Sequence, residues 1–368
     1  MTATAIDRAA LADAVPVAEL HRALVIKLRH HGDVLLASPV LSVLKAHAPQ
    51  VEIDALVYAD TAEMLSLHPA LDRLMVIDRS WKTQGPLAQL RHELRLLAAL
   101  RERHYDLIIH LTEHWRGAWL CRLCSPRWSV APVVHGRGRR WRQAFTHLVR
   151  QPMATGRHVV ETNLDALRRI GLQPAVAERS LTLVPGGAAV EHVGRLLAQH
   201  GLASRGFVHV HPTSRWQFKC WPAASMAQLV RRLQAAGLPV VLTAAPDAAE
   251  RTLVRAIQEQ LDRPVLDLSG QLSLKQLAAL TAQARLFVGV DSAPMHIAAA
   301  MGTPVVALFG PSGDHMWGPW TPKRRVVARD DYDCRPCGID GCGGGKISDC
   351  LVTLPVERVW TACLELLA

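Results

Sequence analysis

Apolar and polar positions alternate in blocks along this chain, and the blocks predict its elements. Ala23 to Leu28 is a short apolar run that reads as a buried strand, Pro39 to Ala48 repeats at helical spacing, and Ile53 to Val57 is again strand-like. Leu87 to Arg103 predicts a long amphipathic helix leading into a strand over Leu107 to Ile109. A second series has predicted strands at Leu181 to Val184, Phe207 to His211, Val240 to Thr243, Val265 to Leu268, Leu286 to Val290 and Val305 to Phe309. Helices such as Met226 to Ala236 and Leu274 to Gln283 fall between them. This βαβα order predicts parallel sheets covered by helices on both faces. One doubly wound sheet rarely needs so many strands, so two domains with a cleft between them are expected. The break falls near Gly171 to Gly187, where Pro174, Pro185, Gly186 and Gly187 collect after the helix Val160 to Ile170. Ligands of open α/β sheets sit beyond the carboxyl ends of strands, so the loops there are where chemistry is sought.

Composition narrows the classes. With 49% hydrophobic and 20% charged residues in 368, the chain has enough apolar surface to fold, and 24 glycines exclude a collagen-like repeat. The oiliest stretch, Leu286 to Gly310, is interrupted by Asp291, Pro294, His296 and Pro304, so no membrane-crossing helix is expected. Asp7, Arg8, Asp13 and Glu19 interrupt the first twenty residues, which argues against a secretory signal and for the cytosol. The 42 basic residues exceed the 32 acidic ones by ten, which brings anionic partners into view. Only seven of the 42 are Lys, so a GC-rich coding bias accounts for the bulk of the excess equally well. Distribution says more: from His114 to Val160 there is no acidic residue, while Arg116, Arg122, Arg127, Arg137, Arg139, Arg140, Arg142, Arg150 and Arg157 fall there. Such a block suits phosphate or an anionic lipid surface, or is a solvated face.

Three loops could carry chemistry. After the first strand comes Arg29-His30-His31-Gly32-Asp33, in which Asp33 is either a helix N-cap or a general base at a cleft edge. After the strand ending at His211, Thr213, Ser214 and Lys219 suit a diphosphate, the hydroxyls orienting its oxygens and the cation offsetting its charge; alternatively the hydroxyls cap a helix. Val288 to His296 turns abruptly from strand to helix at Asp291, with Pro294 in the first turn. Helix starts of this kind bind anions and sugars, although a capping Asp and a satisfied core His fit as well. Near the end, Cys334, Cys337, Cys342 and Cys350 form C-x2-C-x4-C-x7-C, which permits a structural zinc site, reduced thiols or disulfides. Cys121 and Cys124 stand three apart on a predicted helix and read as core. Dinucleotide, zinc-protease and hydrolase-elbow motifs are absent.

Together, Lys27 to Leu36, His211 to Trp221 and Gly289 to Pro311 resemble the ADP-heptose:lipopolysaccharide heptosyltransferases of glycosyltransferase family 9, and within them the heptosyltransferase III branch, which shares a similar Phe-Lys-Cys-Trp segment and Cys-rich loop. The resemblance runs from Ala23 to about Thr361. It implies an α/β GT-B fold, two Rossmann-like domains with parallel sheets facing a central cleft. The expected divisions are an extension at 1–22, an acceptor-binding domain at 23–178, a nucleotide-sugar domain at 179–355 with the Cys-rich loop 334–350, and a C-terminal helix at 356–368. It implies an inverting transferase that moves heptose from ADP-heptose to the lipopolysaccharide inner core, a phosphorylated glycolipid, in the cytoplasm and in peripheral contact with the inner membrane.

By the same resemblance, Asp33 is the base, Lys219 neutralises the leaving ADP, Thr213 and Ser214 contact the phosphates, and Asp291 holds the donor heptose hydroxyls. Ser292, Ala293 and His296 lie in the same turn, Leu272 lies against adenine, and Glu250, in preference to Asp247, takes the ribose. Arg116 falls where relatives use a basic residue toward the acceptor, and from the acid-free block Arg137, Arg139 and Arg140 are expected to guide the acceptor's phosphates. One additional residue stands between Thr213 and Lys219 relative to other branches of the family. No cofactor is expected for catalysis, and a structural zinc at the four cysteines stays open. Transfer of another sugar on the same fold is the alternative. A basic zinc protein that binds nucleic acid would leave the Asp33 and Asp291 loops without work, so no nucleic acid partner is expected. A nicotinamide oxidoreductase lacks its fingerprint.

Overall fold

The computed structural model describes residues 11–150 and 156–368. The first ten residues of the expected 1–22 extension, and positions 151–155 inside the acid-free block, lie outside the described residues. Two compact units divide the chain. One comprises residues up to Ala62, His68 through the sixth strand, and Val160–Arg179; the other comprises Ser180–Ala368 and the short pieces Glu63–Leu67 and Gly156–Val159.

The first unit runs β1 (Arg22–Ile26), α1 (His31–Leu35), α2 (Ser38–His47), β2 (Glu52–Tyr58), β3 (Arg73–Ile77), α3 (Pro86–Glu102), β4 (Leu107–His110), α4 (Trp115–Cys124), β5 (Trp128–Pro132), α5 (Arg139–Arg142), β6 (His147–Val149) and α6 (Val159–Arg169). Its sheet is ordered β3-β2-β1-β4-β5-β6, with every pairing parallel. Leu24 and Ile26 of β1, Leu56 of β2 and Ile108 of β4 bury against Leu100, Trp141 and Phe145. That layer covers one face of the sheet.

The second unit repeats the plan: α7 (Gly187–Gln199), β7 (Val208–His211), α8 (Ala223–Ala235), β8 (Val240–Leu242), α9 (Ala248–Gln258), β9 (Leu266–Asp267), α10 (Leu274–Gln283), β10 (Leu286–Val290), α11 (Ala293–Ala300), β11 (Val305–Leu308), α12 (Asp314–Trp317), β12 (Arg324–Val327), α13 (Asp349–Val352) and α14 (Val356–Leu367). Its order is β12-β11-β10-β7-β8-β9, again all parallel. Val208 and Val210 face a core with Trp221, Met226 and Val359 of α14, whereas Phe207 and Val241 face Val193 and Leu280. Burial on both sides is what a parallel sheet requires, and each buried Val or Leu contributes roughly 1.5–3 kcal/mol.

Most predicted elements lie within a few residues of those observed. Leu181 to Val184 is the exception: no strand forms there, because the segment pairs with no neighbour, and the second sheet begins at β7. Periodicity passes over β3, β6 and β12, which are edge strands, and β5 next to an edge; their sequences mix Arg, Ser, His and Pro with apolar residues. In both sheets the order reverses at one place, between β1 and β4 and between β7 and β10, and the crevice above a reversal is where doubly wound sheets take ligands.

Candidate functional site

At the first reversal, β1 leads through Lys27 to His30 into α1. The N-cap of α1 is His30, whose side chain makes no capping bond, and Asp33 is the third helical residue. The capping role weighed for Asp33 is therefore not what the structure shows. Its half-buried carboxylate accepts no hydrogen bond among the described residues, so both oxygens are available to a ligand. The first-turn position still favours its negative charge. The charge of Asp33 also reaches Lys27. Burial pushes that ammonium down to about 8, and Asp33 opposes the shift. Lys27 Nζ donates to the Leu111 carbonyl and to Asn163 Oδ1, both at 3.1 Å, and Asn163 in turn donates to the Leu36 carbonyl at 2.9 Å. A lysine at the end of an apolar strand was the sequence signal for this cluster, but Asn163, 136 positions away, had none.

Above β4, Arg116 lies in the first turn of α4 and pairs with Glu93 of α3. Arg137 donates to the Glu113 carbonyl at 3.2 Å and lies over the Trp115 ring at 5.2 Å, while Arg139 and Arg140 are exposed in α5. The arginine block is thus split between pinned and free side chains.

The second reversal gathers most of the expected donor residues. Strand β10 must approach β7 closely: a Cβ on Gly289 would stand 2.8 Å from the Phe287 ring and 2.9 Å from the His211 carbonyl. Beyond β7, Lys219 Nζ lies 2.6 Å from Asp291 Oδ2 beyond β10, a largely buried ion pair, with the Trp216 ring 4.9 Å from the ammonium. Ser292 is the N-cap of α11, yet its hydroxyl donates back to the Val290 carbonyl at 3.2 Å, and Ala293 is the first helical residue. His296 is buried with Nδ1 unpartnered; burial pushes its imidazole down to about 4, against the pull of Asp291. A neutral ring with one orphaned nitrogen beside a carboxylate and an ammonium is a group with a polar contact still to make.

Thr213 and Ser214 do not cap a helix. Thr213 Oγ1 donates to Glu250 Oε2 at 2.6 Å, and Ser214 Oγ accepts from the Trp216 amide at 3.3 Å. Glu250, buried in the first turn of α9, also accepts from the Ala245 amide at 3.1 Å. Asp247 is spent as the α9 N-cap, accepting from the amides of Ala249 and Glu250. Of the two acids after Pro246, only Glu250 therefore joins the β7 loop. Behind it runs a polar chain that the sequence did not disclose: His211 Nδ1 and His209 Nε2 lie 2.8 and 2.7 Å from Thr243 Oγ1, and Thr281 Oγ1 is 3.0 Å from His209 Nδ1. Burial holds His211 near 3 and His209 well below its ordinary value, so both rings are neutral. Leu272 stands apart from these contacts, packed against the core under α10.

In the Cys-rich loop Cys334, Cys337 and Cys342 are exposed and Cys350 is buried, and all eight cysteines are free. Burial first, then Cys342, Cys337 and Cys334, raises the Cys350 thiol against the effect of Arg335, so the four sulfurs lie within electrostatic reach. Among the described residues no three His, Cys, Asp or Glu side chains are gathered as a ready metal site. Cys121 is buried in α4, as core packing requires, and Cys124 half-buried. No described helix is long and apolar enough to cross a membrane.

The sequence pattern of "Glycosyltransferase family 9 (heptosyltransferase)" matches residues 93–347. The chain is 38% identical to a lipopolysaccharide heptosyltransferase 3 of Escherichia coli over 83% of its length and 88% of that protein. To the lipopolysaccharide heptosyltransferase 3 of strain K12 it is 36% identical, over 92% of this chain and 96% of the relative. An E. coli structure described as ADP-heptose lps heptosyltransferase II superposes with a TM-score of 0.74 at 22% identity, covering 94% of this chain and 98% of that one. That likeness bears on the fold.

Proposed function

The chain belongs to glycosyltransferase family 9, the heptosyltransferases, and from that premise we propose that it transfers heptose from ADP-heptose to the inner core of lipopolysaccharide, as the branch heptose III. The first unit takes the acceptor and the second the nucleotide sugar. In one in-line displacement an acceptor hydroxyl gives its proton to Asp33 and its oxygen bonds to the anomeric carbon. The bond from that carbon to the diphosphate oxygen breaks, and the electron pair leaves on ADP. Developing positive charge on the sugar ring resembles that in glycoside hydrolysis, and a single displacement inverts the anomeric centre. Lys219 and the start of α11 offset the charge gained by the diphosphate. Asp291 and His296 hold the sugar side, Ser292 and Ala293 shape the turn, and Thr213, Ser214 and Glu250 hold phosphate and ribose, with Leu272 against adenine.

The observation that carries this assignment is the 2.6 Å Lys219–Asp291 pair. It sets a cation for the leaving group and a carboxylate for hydroxyls side by side at the reversal of a doubly wound sheet. The test is mass spectrometry of lipopolysaccharide lacking the branch, incubated with ADP-heptose. Gain of one heptose is expected, and gain only from another nucleotide sugar would overturn the donor assignment.

Arg116 and Arg137 face the acceptor on this reading, and exposed Arg139 and Arg140 attract its phosphates over about a Debye length. Replacing Arg139 and Arg140 with Gln is expected to raise the acceptor KM and weaken its salt dependence, with donor KM unchanged. Kinetics at two salt concentrations that show neither change would leave these arginines a solvated face. A zinc held by Cys334, Cys337, Cys342 and Cys350 would be structural, with no part in transfer. If the loop holds zinc, elemental analysis of gently purified protein is expected to give one ion per chain. Metal-free protein with all four loop thiols titratable would retire the site.

A further inference from the structure

Helices α3 and α4 turn apolar side chains outward. Leu87, Leu90 and Leu94 recur at helical spacing along α3, and Trp119 and Leu123 stand one turn apart on α4; their exposures run from 47% to 82%. On α3 only Leu96 and Leu100 are buried, so leucines line two faces of a helix that needs one for packing. A groove of about 420 Å³ between the helices joins the two sets, with Leu94, Leu97, Trp119 and Leu123 on its walls and the Glu93–Arg116 pair inside it. Contiguous apolar surface of this kind marks a place of contact. Its surroundings are cationic: Arg91, Arg95 and Arg101 on α3 and Arg122 on α4 are exposed. The two helices carry only two acids, Glu102 and the already paired Glu93.

We propose that this face docks on an anionic lipid bilayer, with the leucines and Trp119 entering the headgroup boundary and the arginines meeting lipid phosphates. Charge decides the occupant. A twofold dimer through this patch would set four exposed arginines of one copy against the same four of the other, whereas a bilayer surface accepts apolar stems and cations together. Tryptophan is favoured at such boundaries, and exposed arginines near anionic lipid add attraction that salt screens. The proposal rests on the glycolipid acceptor assigned above and names the surface that brings the first unit to it.

The test is co-sedimentation of the full chain with vesicles of phosphatidylglycerol and phosphatidylethanolamine, and with phosphatidylcholine alone. Binding to the anionic vesicles is expected to fall about tenfold or more in Leu90→Gln/Leu94→Gln/Trp119→Gln, and comparably in Arg91→Gln/Arg95→Gln/Arg122→Gln. All six side chains are outward-facing, and both variants are expected to keep wild-type turnover on a deacylated, soluble core oligosaccharide, which also reports that they fold. Vesicle binding unchanged in both variants, or a solution dimer that the apolar variant alone dissociates, would overturn the docking face. Failure of the wild type to glycosylate the soluble acceptor would count against the reaction and leave the vesicle result standing.

Discussion

Asp33→Asn is expected to lower turnover by about 10²-fold or more while ADP affinity stays at the wild-type value. Asn keeps the size and shape of the side chain and removes only its ability to accept a proton, so the loss falls on the step in which the acceptor hydroxyl is activated. The structure makes this substitution cleaner than most. The native carboxylate accepts no hydrogen bond from the described protein, and α1 is capped at His30, so little packing is at stake. The expected stability cost is the favourable helix-terminal charge, roughly 0.3–1 kcal/mol, together with a weaker counter-charge for buried Lys27. Steady-state kinetics with a parallel ADP titration decide the matter. Turnover within a few-fold of wild type would leave Asp33 a residue of the first helical turn and send the search for the base elsewhere.

Lys219→Ala is expected to weaken ADP binding and slow transfer together, because the same ammonium faces the diphosphate in the ground state and gains importance as the leaving group charges. Here the protein itself is affected. Lys219 and Asp291 are paired at 2.6 Å with side chains only 18% and 9% exposed, and removing one partner of a buried pair costs about 3–5 kcal/mol through the charge left behind. A thermal unfolding curve must therefore accompany the calorimetry. Lys219→Ala/Asp291→Asn removes both charges and is expected to recover much of the stability without recovering ADP affinity, which separates a folding defect from a lost ligand contact. Unchanged ADP affinity in the folded single variant would overturn the assignment of Lys219 to the leaving group.

The fold class and the loops that matter were legible in the sequence because both follow from local pattern. Runs such as Leu286 to Val290 and Val305 to Leu308 are apolar throughout, as strands buried on both faces must be, and a helix such as α8 buries one side, from Met226 to Leu233, and leaves the other polar. Motif order then placed Asp33, Lys219 and Asp291 just beyond strand ends. Local pattern also misled where it had no neighbour to consult: Leu181 to Val184 has the composition of a strand but finds no strand to pair with, and the outer strand Arg324–Val327 lacks the composition and pairs with β11.

What only the tertiary structure decided are the partnerships between distant residues. Sequence left Asp247 and Glu250 as rivals for one role; folding spends Asp247 on the amides of its own helix and turns Glu250 toward Thr213, 37 positions earlier. Spacing could not show that Lys219 meets Asp291 across 72 positions, that Lys27 meets Asn163, or that Arg116 is already engaged by Glu93. Hydrophobic periodicity is written residue by residue, since burial of a face depends on near neighbours along the chain. Hydrogen bonds and ion pairs require two particular atoms within about 3 Å, and which atoms those are is settled by strand order and register, when β7 comes to lie beside β10 and β1 beside β4.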